Sequence, residues 1–198
     1  MQPSTATRLF LITHAHTQIQ QTQDAREWVL SAAGQQQAER LATLPLWQEV
    51  TAIVLSSELK TRLTIDVVLA RYPRPVWVDA RFDELYRPGW VDDYASQVQR
   101  AFATPTVAAG EWEAATVALA RFRAGIADLC AQFAGGTVAL VGHGLTLSLY
   151  RAYLLGYEQV HFADWQQLSF AAVALVDPVA EQWLADFQPV AGHMPRSS

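Results

Sequence analysis

Apolar runs recur along the chain, and each stops abruptly at polar or small residues. Leu9-Phe10-Leu11-Ile12 ends at Thr13-His14, and Thr51-Ala52-Ile53-Val54-Leu55 ends at Ser56-Ser57. Thr137-Val138-Ala139-Leu140-Val141 ends at Gly142-His143-Gly144. Runs of this kind, rather than alternation, mark strands buried on both faces, as in parallel sheets. Val76-Trp77-Val78, just after Pro73 and Pro75, adds a short strand. Phe170 to Val176 and Gln182 to Phe187, separated by Asp177-Pro178, predict a closing hairpin.

The stretches between read as helices. Ser31 is placed to cap a helix over Ala32 to Thr43, with Ala38, Leu41 and Ala42 inward and Leu44-Pro45 as its stop. From Leu59 to Ala70, Leu59, Leu63, Val67 and Ala70 recur at helical spacing. Tyr94 to Phe102 predicts a short helix. Glu111 to Phe133 predicts the longest, with Val117, Leu119, Ala120, Phe122 and Ile126 as apolar positions and Gly135-Gly136 as the stop. Leu145 to Leu155 is helical and halts at Gly156. Gln18 to Arg26 is too polar to pack and reads as a loop over the strand ends. Asp79 to Asp93, with Pro88 and Gly89, reads as an irregular connection, and residues beyond Ala191 as a loose tail. Long loops in compact domains are often functional. Strand alternating with helix predicts a three-layer α/β/α fold around a mostly parallel sheet of about six strands.

At 198 residues the chain suits one domain whose core needs no disulfide or metal. Its net charge of −5, with no run of Lys or Arg, argues against a nucleic-acid footprint. No apolar run reaches the length of a membrane span, and the start lacks the features of a secretory leader. The expectation is a soluble, cytoplasmic protein. Cys130 falls four residues after Ile126 on one helical face and is expected to be a structural thiol. Seven Trp and eight Phe suggest a bulky core in preference to an aromatic-lined pocket.

The chemistry concentrates at strand ends. Ligands of open α/β sheets bind outside the carboxyl ends of the strands, and here two such ends, far apart in sequence, carry His14 and His143. Alone, each would more often be structural; together they indicate a site. Glu84, in the irregular connection, is a third candidate, although a carboxyl there usually just faces solvent.

These residues fall within an ordered series of motifs that resembles the histidine phosphatase superfamily, the phosphoglycerate mutase-like group. Thr13-His14-Ala15-His16-Thr17 stands for Arg-His-Gly-x-Thr, and Leu30-Ser31-Ala32-Ala33-Gly34-Gln35-Gln36-Gln37-Ala38 for the first helix start. Ser56-Ser57-Glu58-Leu59, Phe82-Asp83-Glu84 with Gly89-Trp90, Gly110-Glu111 and Val141-Gly142-His143-Gly144 complete the series. The resemblance implies a single domain over residues 1–198 with a small cap or insert around 85–110. It also implies His14 as the nucleophile that takes up phosphorus, Glu84 as the acid, and His143 as a stabilising imidazolium. No metal or other cofactor is implied. The implied partner is a phosphorylated small molecule or phosphate ion held by Thr13, Thr17, Gln20, Thr61, Arg62 and Gly144.

The series departs from the family at Ala15, which stands for a glycine beside His14, and at two arginines. Two arginines clamp the phosphoryl oxygens in the family, and Thr13 and Thr61 occupy their places here. A threonine offers one neutral donor where arginine offers a charged fork. Lys60, Arg62 and Arg87 are the candidate replacements. Two alternatives to a phosphatase therefore stay open. One is a non-catalytic relative acting as a binding module. The other is a metal-dependent hydrolase in which His14-x-His16, two residues apart on one strand face, joins His143 and Glu84. The substrate-facing loops are expected to be Gln18 to Arg26 and Tyr86 to Ala109, the latter with Tyr86, Trp90 and Tyr94 nearby.

Overall fold

Each apolar run lies in a sheet, and the reason it is a run rather than an alternation is visible in what covers it. The computed structural model describes residues 7–190; the tail expected beyond Ala191 lies outside them. The strands are β1 (Arg8–Thr13), β2 (Ala52–Leu55), β3 (Val76–Val78), β4 (Thr137–Gly142), β5 (Ala172–Asp177) and β6 (Gln182–Pro189). They form one six-stranded sheet in the order β3-β2-β4-β1-β5-β6. The first four strands run parallel, and β5 and β6 close the sheet as the expected antiparallel hairpin.

Among the described residues six α-helices pack on the sheet or beside its strand ends: α1 (Ala32–Leu41), α2 (Leu59–Arg71), α3 (Tyr94–Ala103), α4 (Ala115–Gln132), α5 (Gly144–Leu154) and α6 (Phe162–Gln167). Leu9, Leu11, Val138 and Leu140 point to one face, where they meet Phe122, Ile126, Leu147 and Tyr150 of α4 and α5. Phe10, Ile12, Ala139 and Val141 point to the other, against Leu41, Trp47, Ile65 and Val68. Both faces are therefore core, as a parallel sheet requires. A third cluster, including Leu85, Val98, Phe102, Trp112, Leu145 and Trp165, ties α3 and α6 to α5 beside the strand ends.

Several sequence expectations change in detail. The helix over α2 forms, but the face formed by Leu59, Leu63, Val67 and Ala70 is not the buried one; Leu59 is 40% exposed. The buried side carries Lys60, Thr61, Thr64, Ile65 and Val68. It turns polar at its start because that end fronts the site. In α4, Val117 is exposed and the buried positions are Ala115, Ala118, Phe122, Gly125, Ile126 and Leu129. That helix begins at Ala115 rather than Glu111. Glu113 instead exchanges bonds with Tyr86, its N–H reaching the Tyr86 carbonyl at 2.8 Å and its carboxylate accepting the Tyr86 N–H at 3.0 Å. The short helix α6 was not foreseen; it is anchored by the buried ring of Trp165.

Cys130 is a free, half-buried thiol packed against the first cluster. Burial, with the nearby Asp177 charge, pushes it up and away from nucleophilic thiolate chemistry. No helix among the described residues is long and apolar enough to cross a membrane.

One close approach fixes the segment after β1. Ser31 caps α1 by accepting the Gly34 N–H at 3.1 Å, and its own N–H donates to the His16 carbonyl at 3.0 Å. A Cβ on Gly34 would lie 1.9 Å from that same carbonyl oxygen. Backbone, not a flexible side chain, is in the way. Gly34→Ala is expected to lower stability by about 3 kcal/mol, read as a fall in the thermal midpoint. An unchanged midpoint would contradict this account of the contact.

Candidate active site

His14 and His143 follow β1 and β4, which are neighbours in the sheet. Thr13 pairs with Gly142 in register, and the pairing continues one residue further, with the His14 N–H donating to the Gly142 carbonyl at 2.9 Å. The two imidazoles consequently lie side by side, centroids 5.3 Å apart and tilted by 57°. Both are buried. His14 Nδ1 sits 2.8 Å from the Ala15 carbonyl. A carbonyl can only accept, so Nδ1 carries the proton and the lone pair of the neutral ring is on Nε2. His143 Nε2 meets Ser56 Oγ at 2.7 Å, from the end of β2, and lies 3.7 Å from Glu58 Oε1.

Glu84 reaches the same place from the connection after β3. Its carboxylate takes the start of α5: the Leu145 N–H donates to Oε2 and the Thr146 N–H to Oε1, each at 3.1 Å. The Leu85 N–H adds a third bond, to Oε1, at 3.0 Å. The first N–H groups of a helix have no intrahelical partner and favour an anion. Because α5 opens directly after His143, one turn of chain holds both the acid and the second histidine.

The segment carrying Glu84 is itself pinned. Arg121 of α4 donates to the carbonyls of Arg81, Asp83 and Glu84, each at 2.8 Å, and pairs with Glu113 at 2.8 Å. Asp83 accepts from the Ser57 N–H at 2.6 Å, the Ser57 hydroxyl at 2.7 Å and the Arg26 guanidinium at 2.7 Å. Behind these lies a buried ion pair, Lys60 Nζ to Glu58 Oε2 at 2.6 Å. Lys60 also donates to the Ala25 carbonyl at 2.6 Å, and Glu58 accepts the Glu84 N–H at 2.8 Å. Burial pushes the Glu58 carboxyl up, but the Lys60 ammonium and the Glu84 N–H outweigh it and hold it below its ordinary value.

His14, His143 and Glu84 open on a cavity of about 150 Å³, together with His16, Thr17, Lys60 and Arg87. Its walls are aromatic: Trp28, Trp90, Tyr94, Trp165 and Phe170 all contribute. The rings thus serve the pocket as well as the core, while Tyr86 is exposed and takes no part in the wall.

Several expected ligand residues point elsewhere. The Thr13 hydroxyl donates to the Ser169 carbonyl and accepts the Ala172 N–H, both at 2.9 Å, so it joins β1 to β5. The Thr61 hydroxyl is turned to the Glu58 and Ser56 carbonyls at 2.9 and 3.2 Å. Arg62 lies on the exposed side of α2 in an ion pair with Asp66 at 2.6 Å, because one residue beyond Thr61 is about 100° around the helix. Gln20 is exposed and lends its backbone carbonyl to Trp28. Gly144 opens α5 and offers no side chain. Of the expected set, Thr17 alone lines the cavity. His16 lines it too, with Nδ1 at 2.8 Å from Ser31 Oγ. Among the described residues no three His, Cys, Asp or Glu side chains are grouped to share a metal ion, so geometry lends the His14-x-His16 metal reading no support.

Other residues of the site were not legible beforehand. Glu58 stood at the variable place of the Ser-Ser-x-Leu segment, where nothing marked it. Ser56 and Asp83 lay inside quoted motifs but carried no assigned task. For Arg121, Arg26 and Phe170, far apart in sequence and outside any motif, no signal existed.

With this geometry in view, the comparisons give the family. The histidine phosphatase superfamily (branch 1) model matches residues 9–187, and the chain belongs to that superfamily. A search of the curated proteins found no match. Among solved structures, YhfR of Bacillus stearothermophilus is 19% identical with a TM-score of 0.79, over 95% of this chain and 99% of that one. A mycobacterial glucosyl-3-phosphoglycerate phosphatase in complex with inorganic phosphate is 26% identical with a TM-score of 0.66, over 85% and 88%. Phosphoserine phosphatase of Entamoeba histolytica in complex with 3-phosphoglyceric acid is 18% identical with a TM-score of 0.69, over 91% and 96%.

The Glu58–Lys60 pair makes a prediction about pH. A carboxyl whose folded value is depressed contributes stability above its unfolded value, near 4.5, and loses it as pH falls through the folded value. Glu58→Gln strands a buried ammonium and is expected to cost about 3–5 kcal/mol at pH 7. In denaturant titrations the gap between wild type and variant should narrow steadily below that range. A gap independent of pH would contradict it.

Proposed function

We propose that the protein hydrolyses a small phosphate monoester without a metal, through a phosphohistidine at His14. One observation carries this reading: the His14 and His143 rings lie 5.3 Å apart in a shared cavity, with the Glu84 carboxylate on the turn that begins α5. Its size suits a phosphoryl group on a modest organic moiety, since pockets for larger ligands run to about 300–1,000 Å³. The phosphate-bound and phosphoglyceric acid-bound relatives support the same class of ligand.

In this scheme His14 Nε2 forms a bond to phosphorus as the bond to the leaving oxygen breaks, and Glu84 gives that oxygen a proton. Water then attacks phosphorus, its proton passes to Glu84, and the phosphorus–nitrogen bond breaks to release phosphate. Glu84 Oε1 already accepts two backbone bonds and Oε2 only one, which makes Oε2 the oxygen with capacity for the travelling proton. His143 faces the transferring group as the charge stabiliser, and Glu58, 3.7 Å behind it, supplies the counter-charge for an imidazolium. The residues around 85–110 act as a cap that sets what may enter.

A second reading is favoured by one observation, that the Thr13 and Thr61 hydroxyls are spent on backbone carbonyls. In it the pocket binds a phosphorylated ligand without turning it over. A panel of phosphomonoesters, starting with p-nitrophenyl phosphate, separates the two. Wild type should turn over at least one, His14→Ala none, and Glu84→Gln should lose roughly a hundredfold or more in kcat. Acid-labile phosphate should become attached to wild type and not to His14→Ala. Wild-type turnover no greater than that of His14→Ala across the panel would sink the hydrolase reading and leave the binding module.

A further inference from the structure

Resting on the phosphatase reading above, we propose that Arg87 is the phosphoryl-binding residue of this site, a guanidinium supplied by the loop after Glu84 in place of arginines on the framework. The other cations near the cavity are already committed. Lys60 is held by Glu58 at 2.6 Å and by the Ala25 carbonyl. Arg26 is bound to Asp83, and Arg62 to Asp66 on the outer side of α2. Arg87 differs from all of them: it lines the cavity, yet among the described residues it makes no ion pair and no hydrogen bond.

What holds Arg87 is aromatic. Its guanidinium carbon lies 4.6 Å from the Tyr94 ring centroid, 5.9 Å from that of Trp112 and 6.0 Å from that of Trp28. Such rings attract a planar cation through its charge and faces. They consume none of its N–H donors, which project from the edge of the plane. A guanidinium held in this way is positioned and still has its fork available, and that fork matches phosphate geometry in two parallel bonds. Trp28 also lies 5.8 Å from Lys60 Nζ, so both cations share one indole wall. Glu58 balances only the lysine. The wall is left with one positive charge, that of Arg87, on the cavity of about 150 Å³ that His14 also lines.

The loop gains a task as well. Arg87 sits one residue past Tyr86, whose N–H and carbonyl are both fixed to Glu113. Gly89, in the left-handed region at φ +66°, then turns the chain back towards Trp90 and α3. Phosphate affinity thus belongs to the cap, whereas nucleophile and acid belong to the sheet end.

The test uses the full chain with inorganic phosphate and vanadate as probes. Arg87→Met keeps an unbranched stem among the rings and removes the charge; Arg87→Lys keeps the charge and loses the fork. Wild type and His14→Ala should both be raised in melting temperature by the probes, Arg87→Met should lose that rise, and Arg87→Lys should keep part of it. Apparent phosphate affinity and 1/KM should fall about ten- to a hundredfold in Arg87→Met, the range of a charged hydrogen bond or two. Should Arg87→Met bind the probes as tightly as wild type, the inference fails while the phosphatase reading stands. Wild type that phosphate does not stabilise overturns the inference. Absence of turnover with intact, Arg87-dependent phosphate binding overturns the phosphatase reading alone.

Discussion

The in-register parallel pairing of β1 with β4 is the constraint on which the rest of the site depends. Thr13 opposite Gly142 sets where both strands stop, and the next residue on each is a histidine. A slip of one residue would send every side chain of a strand to the opposite face. Here it would mix the two cores on either side of the sheet and also separate the imidazoles. Burial of Leu9, Leu11, Phe10 and Ile12 on their proper faces therefore enforces the register, and the register places the chemistry. The same hydrophobic energy that folds the sheet aligns the site.

Around that pair the charges are layered. Glu84 lies on the free amides that open α5, Glu58 sits behind His143, and Lys60 sits behind Glu58. Each charged group has its partner in hand, which is the condition for keeping charge in a site this dry. Arg87 is the exception, held by ring faces rather than by an acid. Thr13 and Thr61, which stand where the resemblance sets two arginines, have their hydroxyls in structural bonds to backbone carbonyls.

Much of this was legible in advance, and the boundary of legibility has physical reasons. Strand runs and helix spacing are local properties, so all six strands and five of the helices could be read from the chain. That His14, His143 and Glu84 meet at one cavity could be read because they fall in an ordered series of motifs. The polar face of α2 could not, since an apolar-face rule assumes that what a helix covers is core, and its first turns cover a site. Arg62 falls outside the site for a related reason: sequence adjacency to Thr61 says little when each step turns the helix by about 100°. Arg121 and Phe170 meet the site only through tertiary contacts, which no short window contains.

Arg121 has a consequence for how this protein could diversify. A single guanidinium fastens the carbonyls of Arg81, Asp83 and Glu84 to α4 and shares Glu113 with Tyr86. That clasp marks a border in the chain. On one side of it, His14, His143 and Glu84 are held at the strand ends and the start of α5; on the other, residues 87–110 are anchored chiefly by aromatic packing. Insertions or exchanges beyond the clasp can reshape the mouth of the pocket while His14, His143 and Glu84 keep their mutual distances. The mouth of the cavity and its floor are separate parts joined at one arginine.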